Sequence, residues 1–263
     1  AAVQNRLSEA QALGEAALKR HGAHLPARSS TAGSIALQRA LHRLERWPRR
    51  LVRRLDRGLP TPIREVEDVR VHERYRLYGY LLHVGYHLGS PRLPELARTV
   101  SRQARRAGYA PEVAFAIAAL AVAANVDGDP PAARRYSEQA RLLASRFAGQ
   151  GFAIRASTLL SGLVDPWFTS LDQTLNNLTE NMATSMACHD YEFAAAASAF
   201  YATNAMVRGA ELGSLKQALH GQVSQLAHYQ HVTGINITRF VLQIVNSLVG
   251  QADIDPDPER GQN

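Results

Sequence analysis

Two pairs of histidines at helical spacing are the first candidates for chemistry in this 263-residue chain. His83 and His87 are four residues apart, and His228 and His231 are three apart, so each pair would share one face of a helix. Two imidazoles on one turn can hold a metal ion, but the helix of a zinc protease adds a glutamate and a further histidine. Neither pair has a third ligand nearby in the sequence. We therefore interpret them as interhelical or surface histidines and predict no metal site.

Asp190, Glu192 and Cys188 are the next candidates, since carboxylates and thiols can act as acids, bases and nucleophiles. The two carboxylates straddle a predicted helix start, where acidic side chains cap free backbone amides, and capping is the favoured interpretation. Cys188 is the only cysteine, which excludes an intramolecular disulfide and a cysteine-rich zinc site. It lacks a Cys-His nucleophile signature, so we predict a small apolar core residue.

This sequence contains no motif for nucleotide binding or phosphoryl transfer. There is no Gly-x-x-x-x-Gly-Lys-Ser/Thr loop to hold phosphates, and no Gly-x-Gly-x-x-Gly after a strand. The His-Arg-Asp and Asp-Phe-Gly elements of a protein kinase are also missing. We predict no catalytic residue and no cofactor, and hence that the chain is not itself an enzyme.

The net charge of +7 raises the question of a nucleic-acid or acidic partner. The excess is local, because residues 1–106 hold 21 Lys+Arg against 9 Asp+Glu. It is densest in residues 39–57, an amphipathic pattern whose candidate partner-binding residues are Arg46, Arg50, Arg53 and Arg54. A solvated arginine face is favoured, and contact with a polyanion, an acidic partner or a membrane surface stays open. Nucleic acid is not favoured, since no helix-turn-helix or aromatic-interleaved basic sheet accompanies the arginines.

The elements that would position these residues are helices throughout. Apolar residues recur with the helical period along nearly the whole chain, and short Gly, Pro and Asp clusters interrupt them. This pattern predicts an all-α protein, a tetratricopeptide-like solenoid of about eleven helices packed as antiparallel pairs. A non-repetitive helical bundle remains the alternative. The longest uncharged stretches, 113–126 and 193–207, are too short for a membrane span and predict buried helices.

We predict one continuous helical array with three parts. Residues 1–60 are N-terminal helices that include the arginine-rich helix, and residues 61–250 are the repeat region. Residues 251–263 contain two Asp-Pro pairs and almost no apolar side chain, which predicts a disordered tail or linker. The chain begins without methionine or a signal pattern, so we interpret it as an excised fragment of a cytoplasmic protein.

Residues 152–250 carry a resemblance to a known group of proteins. Its motifs are Asp165-Pro-Trp167, the stretch Leu171-Asp-Gln-Thr-Leu-Asn-Asn-Leu-Thr-Glu-Asn181, Ala187-Cys-His-Asp-Tyr-Glu-Phe-Ala-Ala195 and Phe240-Val-Leu-Gln-Ile-Val-Asn-Ser-Leu-Val-Gly250. This region resembles the helical repeat region of large bacterial signalling proteins that combine a serine/threonine kinase, an AAA/STAND-type ATPase and a sensor histidine kinase. His189 stands where that family is expected to have glycine. The resemblance implies a regulatory segment whose enzymatic neighbours lie elsewhere in the polypeptide.

Two functions follow as expectations. The first is a non-catalytic segment that binds a protein, a peptide or neighbouring domains and relays state between ATPase and kinase modules. The second is a superhelix that senses a small effector in its groove. An open polar groove would favour a protein partner, whereas a closed apolar pocket would favour an effector. Trp167 is a candidate partner anchor, although a core position beside the loop is the favoured interpretation.

Overall fold

The computed structural model describes residues 2–23, 59, 62–228 and 232–250, and the chain divides into two compact units, Ala1–Ala148 and Gly149–Asn263. The arginine-rich segment 39–57 and the predicted tail 251–263 lie outside the described residues. Within the described ranges there are ten α-helices and one short 3-10 helix.

The described part of the first unit consists of five helices: α1 (Ala2–Arg20), α2 (Val69–His87), α3 (Leu93–Ala107), α4 (Pro111–Val126) and α5 (Pro130–Arg146). Each of these helices contacts the next in order, and α2 also contacts α4. Helix α4 lies at the centre, since every residue from Pro111 to Ala121 is buried. A helix buried on all sides needs no polar face, which explains its run of alanines and aliphatic residues.

The described part of the second unit consists of α6 (Gly151–Leu163), the 3-10 helix Asp165–Trp167, α7 (Leu171–Ala187), α8 (Tyr191–Arg208), α9 (Leu212–His228) and α10 (Val232–Leu248). Helix α8 contacts all four other α-helices of this unit, and α9 also contacts α10. It is rich in alanine, and Ala194, Ala195 and Ala197 are fully buried. Small side chains allow several neighbours to approach one helix closely.

The helix ends follow the local chemistry of the sequence. The side chains of Asp68, Asp129, Ser170 and Asp190 accept hydrogen bonds from backbone amides in the first turns of α2, α5, α7 and α8. Prolines in the first turns of α3, α4 and α5 occupy positions where a backbone N–H would have no helical partner. Gly209 ends α8 with a left-handed φ of 76°. The breaker clusters between residues 89 and 213 therefore lie at helix ends, as predicted.

The all-α prediction is confirmed for the described residues. Their only β-type pairing is an isolated bridge between Glu65 and Tyr109. The buried-helix prediction is also confirmed for most of both uncharged stretches, while their last residues, Val126 and Val207, are exposed. None of the described helices combines the length and apolar composition that a membrane crossing requires.

Candidate functional site

An open groove of about 840 Å³ lies between α7 and α9 in the second unit. Helix α7 lines it with Thr179, Met182, Ala183 and Met186, and helix α9 lines it with Ser214, Gln217, Ala218, Gly221, Gln222 and Gln225. None of these ten residues is buried: six are exposed, and Met182, Met186, Ala218 and Gln222 are half-buried. The half-buried residues form the floor of the groove. No aspartate, glutamate, lysine or arginine is among the lining residues.

The floor rests on a small hydrophobic core. Ala194 and Ala195 of α8 and Leu226 of α9 are fully buried, and both floor methionines pack against this cluster. A thioether on an unbranched stem adapts to irregular contacts, and methionine is frequent on surfaces that bind more than one sequence. The groove therefore has a supported floor with side chains that can adjust to an occupant.

One polar residue of the floor is held by a buried hydrogen-bond network. The Ser198 hydroxyl donates to Gln222 Oε1 over 2.7 Å, and Ser198 Oγ lies 3.1 Å from Thr238 Oγ1. Ser198 and Thr238 are both fully buried. The network joins α8, α9 and α10, and its short Ser198–Gln222 hydrogen bond holds the Gln222 carboxamide in place.

Among the predicted partner-binding residues, Arg46, Arg50, Arg53 and Arg54 lie outside the described residues. Trp167 is 73% exposed, so the favoured interpretation as a core residue is wrong. The reason is local: Val164 and Asp165 are buried, and backbone hydrogen bonds from Phe168 and Thr169 to the Asp165 carbonyl close a turn that leaves Trp167 outside. Trp167 is available as an anchor, but it does not line the groove.

Cys188 is exposed, and its Sγ lies 3.6 Å from the Gly149 carbonyl oxygen. The prediction of a core cysteine is therefore wrong, because the residue follows the last turn of α7 rather than facing its buried side. Next to it, His189 has a left-handed φ of 58°. Glycine adopts a left-handed conformation at less cost than histidine does. Histidine also hydrogen-bonds there, with Nδ1 2.9 Å from the Tyr191 hydroxyl.

The capping role predicted for Asp190 is confirmed. Its Oδ1 accepts from the Phe193 amide, and its Oδ2 forms a 2.7 Å ion pair with Arg155 Nε of α6. The Arg155 guanidinium also lies 5.1 Å from the ring centroid of Phe152 and 4.8 Å from that of Phe193. Asp190 thus joins the start of α8 to α6.

In the first unit, the rings of His83 and His87 meet edge to face with centroids 4.7 Å apart.

Sequence reasoning did not identify the groove. Met182 belongs to the apolar face that continues from Leu175 and Leu178, and those two leucines are buried in the core. The signal that was present is on α9, where glutamine and small residues alternate with the buried Leu215 and Leu219. A stripe of this kind is neither a charged, solvent-exposed face nor an apolar core face. It can be recognised as one wall of a groove only when the positions of the neighbouring helices are known.

A buried carboxylate in the first unit predicts a pH dependence of stability. Glu112, in the first turn of α4, is 4% exposed, and its Oε2 has no hydrogen-bond partner within the described part of the chain. Burial raises the pKa of this carboxyl above its usual value, and its backbone amide, His72 and Arg76 oppose the shift. The pKa of this carboxyl is therefore higher in the folded protein than its value of about 4.3 in the unfolded chain. As the pH rises from the unfolded pKa to the folded pKa, the folded state becomes less stable, because the unfolded chain loses this proton more readily.

We expect Glu112→Gln to be more stable than the parent protein at pH 7, and this difference to disappear as the pH falls below the unfolded pKa. Denaturant unfolding at a series of pH values measures it. Glu138→Gln is the matched control, because Glu138 is an exposed residue whose carboxylate pairs with Arg134 on the surface of α5. A Glu112→Gln difference that stays the same at every pH would contradict the prediction.

Comparison of the chain with protein-family models, with curated proteins and with solved structures gives no match.

Proposed function

We propose that this chain is a non-catalytic regulatory segment of a bacterial signal-transduction protein, and that it binds a protein partner in the groove between α7 and α9. The observation that carries the proposal is the groove itself, which is open, uncharged and floored by two methionines. The absence of phosphate-binding and kinase motifs supports a non-catalytic role. The resemblance to repeat regions of kinase and ATPase signalling proteins supports the regulatory context and a cytoplasmic location.

The open shape of the groove favours a protein over a small effector. A small-molecule site encloses most of its ligand, about 70–90% of the ligand surface. Here the groove is open to solvent along its length, so an occupant would remain exposed along one side. A segment of polypeptide tolerates this arrangement, because its other side can stay in water or belong to a larger domain.

The helix contacts support a relay within each unit. Helix α8 contacts α6 and α10 as well as its sequence neighbours, and α2 likewise contacts α4. In stacked helix pairs, each helix typically contacts both the next helix along the chain and the one after it. From this pattern we infer a tetratricopeptide-like solenoid. Closely packed alanine-rich helices make each pair stiff, so a change at one pair would be transmitted to the next.

The groove can be tested with a photoreactive benzophenone side chain placed at Ala183 in the intact protein that contains this segment. We expect cross-links to a protein segment, because Ala183 is an exposed lining residue. Adding Ala218→Trp should abolish them, since an indole at this half-buried position fills the floor. Mass spectrometry of the cross-linked peptides identifies the segment.

Ser224→Trp is the matched control, since Ser224 is exposed on the same helix and does not line the groove. It should leave the cross-links unchanged. Cross-links that persist in Ala218→Trp would contradict the groove as the binding site. A small molecule retained in native mass spectrometry and expelled by Ala218→Trp would favour the effector function instead.

A further inference from the structure

The spacing of the lining residues identifies the kind of segment that the groove fits. On α7 they stand at positions 179, 182, 183 and 186, and on α9 at 214, 217, 218, 221, 222 and 225. Steps of three and four residues mark one continuous face of a helix. In helical bundles such faces pack against another helix. Two such faces, one on α7 and one on α9, border this groove, and a third helix would pack between them.

The dimensions agree with a short helix. An α-helix rises about 1.5 Å per residue and about 5.4 Å per turn, so the length of each lining gives the number of turns that an occupant could contact. The lining of α7 extends over seven residue steps, or about 10 Å, and that of α9 over eleven steps, or about 16 Å, which correspond to about two and three turns. Both quantities describe one helical segment rather than a whole domain.

The lining chemistry restricts the surface of that helix. Ala183, Ala218 and Gly221 have little or no side chain, so the backbone of an occupant can approach closely. The lining contains no charged side chain that could compensate a buried charge. A contact face of small and aliphatic side chains therefore fits, with charged residues confined to the opposite face.

Gln222 adds one polar requirement. Its Oε1 is occupied by the Ser198 hydroxyl, and this network holds the carboxamide at the groove floor. The carboxamide nitrogen is then the donor available to an occupant. An apolar side chain opposite it would leave that donor unsatisfied, whereas the oxygen of Asn, Gln, Ser or Thr would accept its hydrogen bond.

We propose that the groove binds one amphipathic helix of a partner protein, with about two to three turns in contact. Its contact face consists of small and aliphatic residues and includes one uncharged hydrogen-bond acceptor opposite Gln222. This inference rests on the proposed function, because it names the partner of the same groove.

Two displayed peptide libraries test the proposal on the purified 263-residue chain. One library is a 14-residue Ala/Lys/Glu helix randomised on one face, and the other has the same length with central prolines that prevent a helix. We expect only the helical library to yield binders that Ala218→Trp abolishes and Ser224→Trp does not affect. The selected faces should be apolar, with one Asn, Gln, Ser or Thr at a recurrent position.

The polar contact is tested by Gln222→Leu, which should lower the affinity of those binders about tenfold, the equivalent of one hydrogen bond. It should instead favour variants with an aliphatic residue at the recurrent position. Gln225→Leu is the matched control, because Gln225 is an exposed lining residue on the same helix, and it should change affinity little. Equal effects of the two substitutions would overturn the assignment of Gln222.

The remaining outcomes separate this inference from the proposed function. Proline-containing binders that Ala218→Trp abolishes would overturn the helix but keep the groove as a protein-binding site. No Ala218-dependent binder from either library would overturn both. A dimer in sedimentation velocity that Ala218→Trp dissociates would show that a second copy of this chain is the occupant, and would overturn the partner-protein assignment.

Discussion

Replacing Asp190 by alanine is expected to lower the free energy of unfolding of the second unit by about 3 kcal/mol. The Arg155–Asp190 pair is largely buried, with side-chain exposures of 17% and 9%. Removing one partner of a buried ion pair leaves an uncompensated charge and costs about 3–5 kcal/mol. The remaining exposure of Arg155 places the loss near the lower end, and the lost cap of α8 contributes to it.

The measurement is denaturant unfolding followed by the fluorescence of Trp167, which lies in the second unit, in a Trp47→Phe background. Asp172→Ala is the matched control, because Asp172 pairs with Arg208 in the same unit while their side chains are 67% and 45% exposed. An exposed pair contributes about 0–1 kcal/mol. Losses of similar size for Asp190→Ala and Asp172→Ala would contradict the structural role assigned to the Arg155–Asp190 pair.

Gly162→Ala is expected to destabilise the same unit by about 2–3 kcal/mol. A Cβ atom at this position of α6 would lie well inside the van der Waals contact distance of Cδ2 and Cγ of Phe200 on α8. No real contact is that short, so the ring or the helix must move, and overpacking of this kind typically costs about 1–3 kcal/mol. Close approach of the two helices is thus the reason for glycine here, since its φ is not left-handed.

Gly221→Ala is the control of opposite sign. Nothing lies within 4 Å of a Cβ at Gly221 in α9, so alanine there should stabilise the helix by about 0.5–1 kcal/mol. The same unfolding experiment measures both variants. In a double-mutant cycle, combining Gly162→Ala with Phe200→Ala should recover part of the free energy of unfolding that Gly162→Ala alone loses, because the ring that the new Cβ would meet is then absent. A Gly162→Ala protein as stable as the parent would show that α6 and α8 do not pack as described.

Residue types and their spacing were enough to predict the local structure of this protein. Helical periodicity, capping side chains and breaker clusters are properties of neighbouring residues, so the all-α class and most helix ends follow without tertiary contacts. Asp190 was recognised as a cap for this reason. The buried state of α4 also followed, because a helix that is apolar on all sides must be covered.

The position of the candidate site depends instead on contacts between helices that are distant in the sequence. Periodicity shows that Leu175, Leu178 and Met182 share one side of α7. It does not show how far along α7 the neighbouring helices cover that side. The small residues of α9 leave space beside Met182, so this end of an apparent core face became the floor of a groove. Trp167 and Cys188 were misplaced for a related reason: each lies at or just beyond a helix end, where the local turn rather than the helical period sets the direction of the side chain.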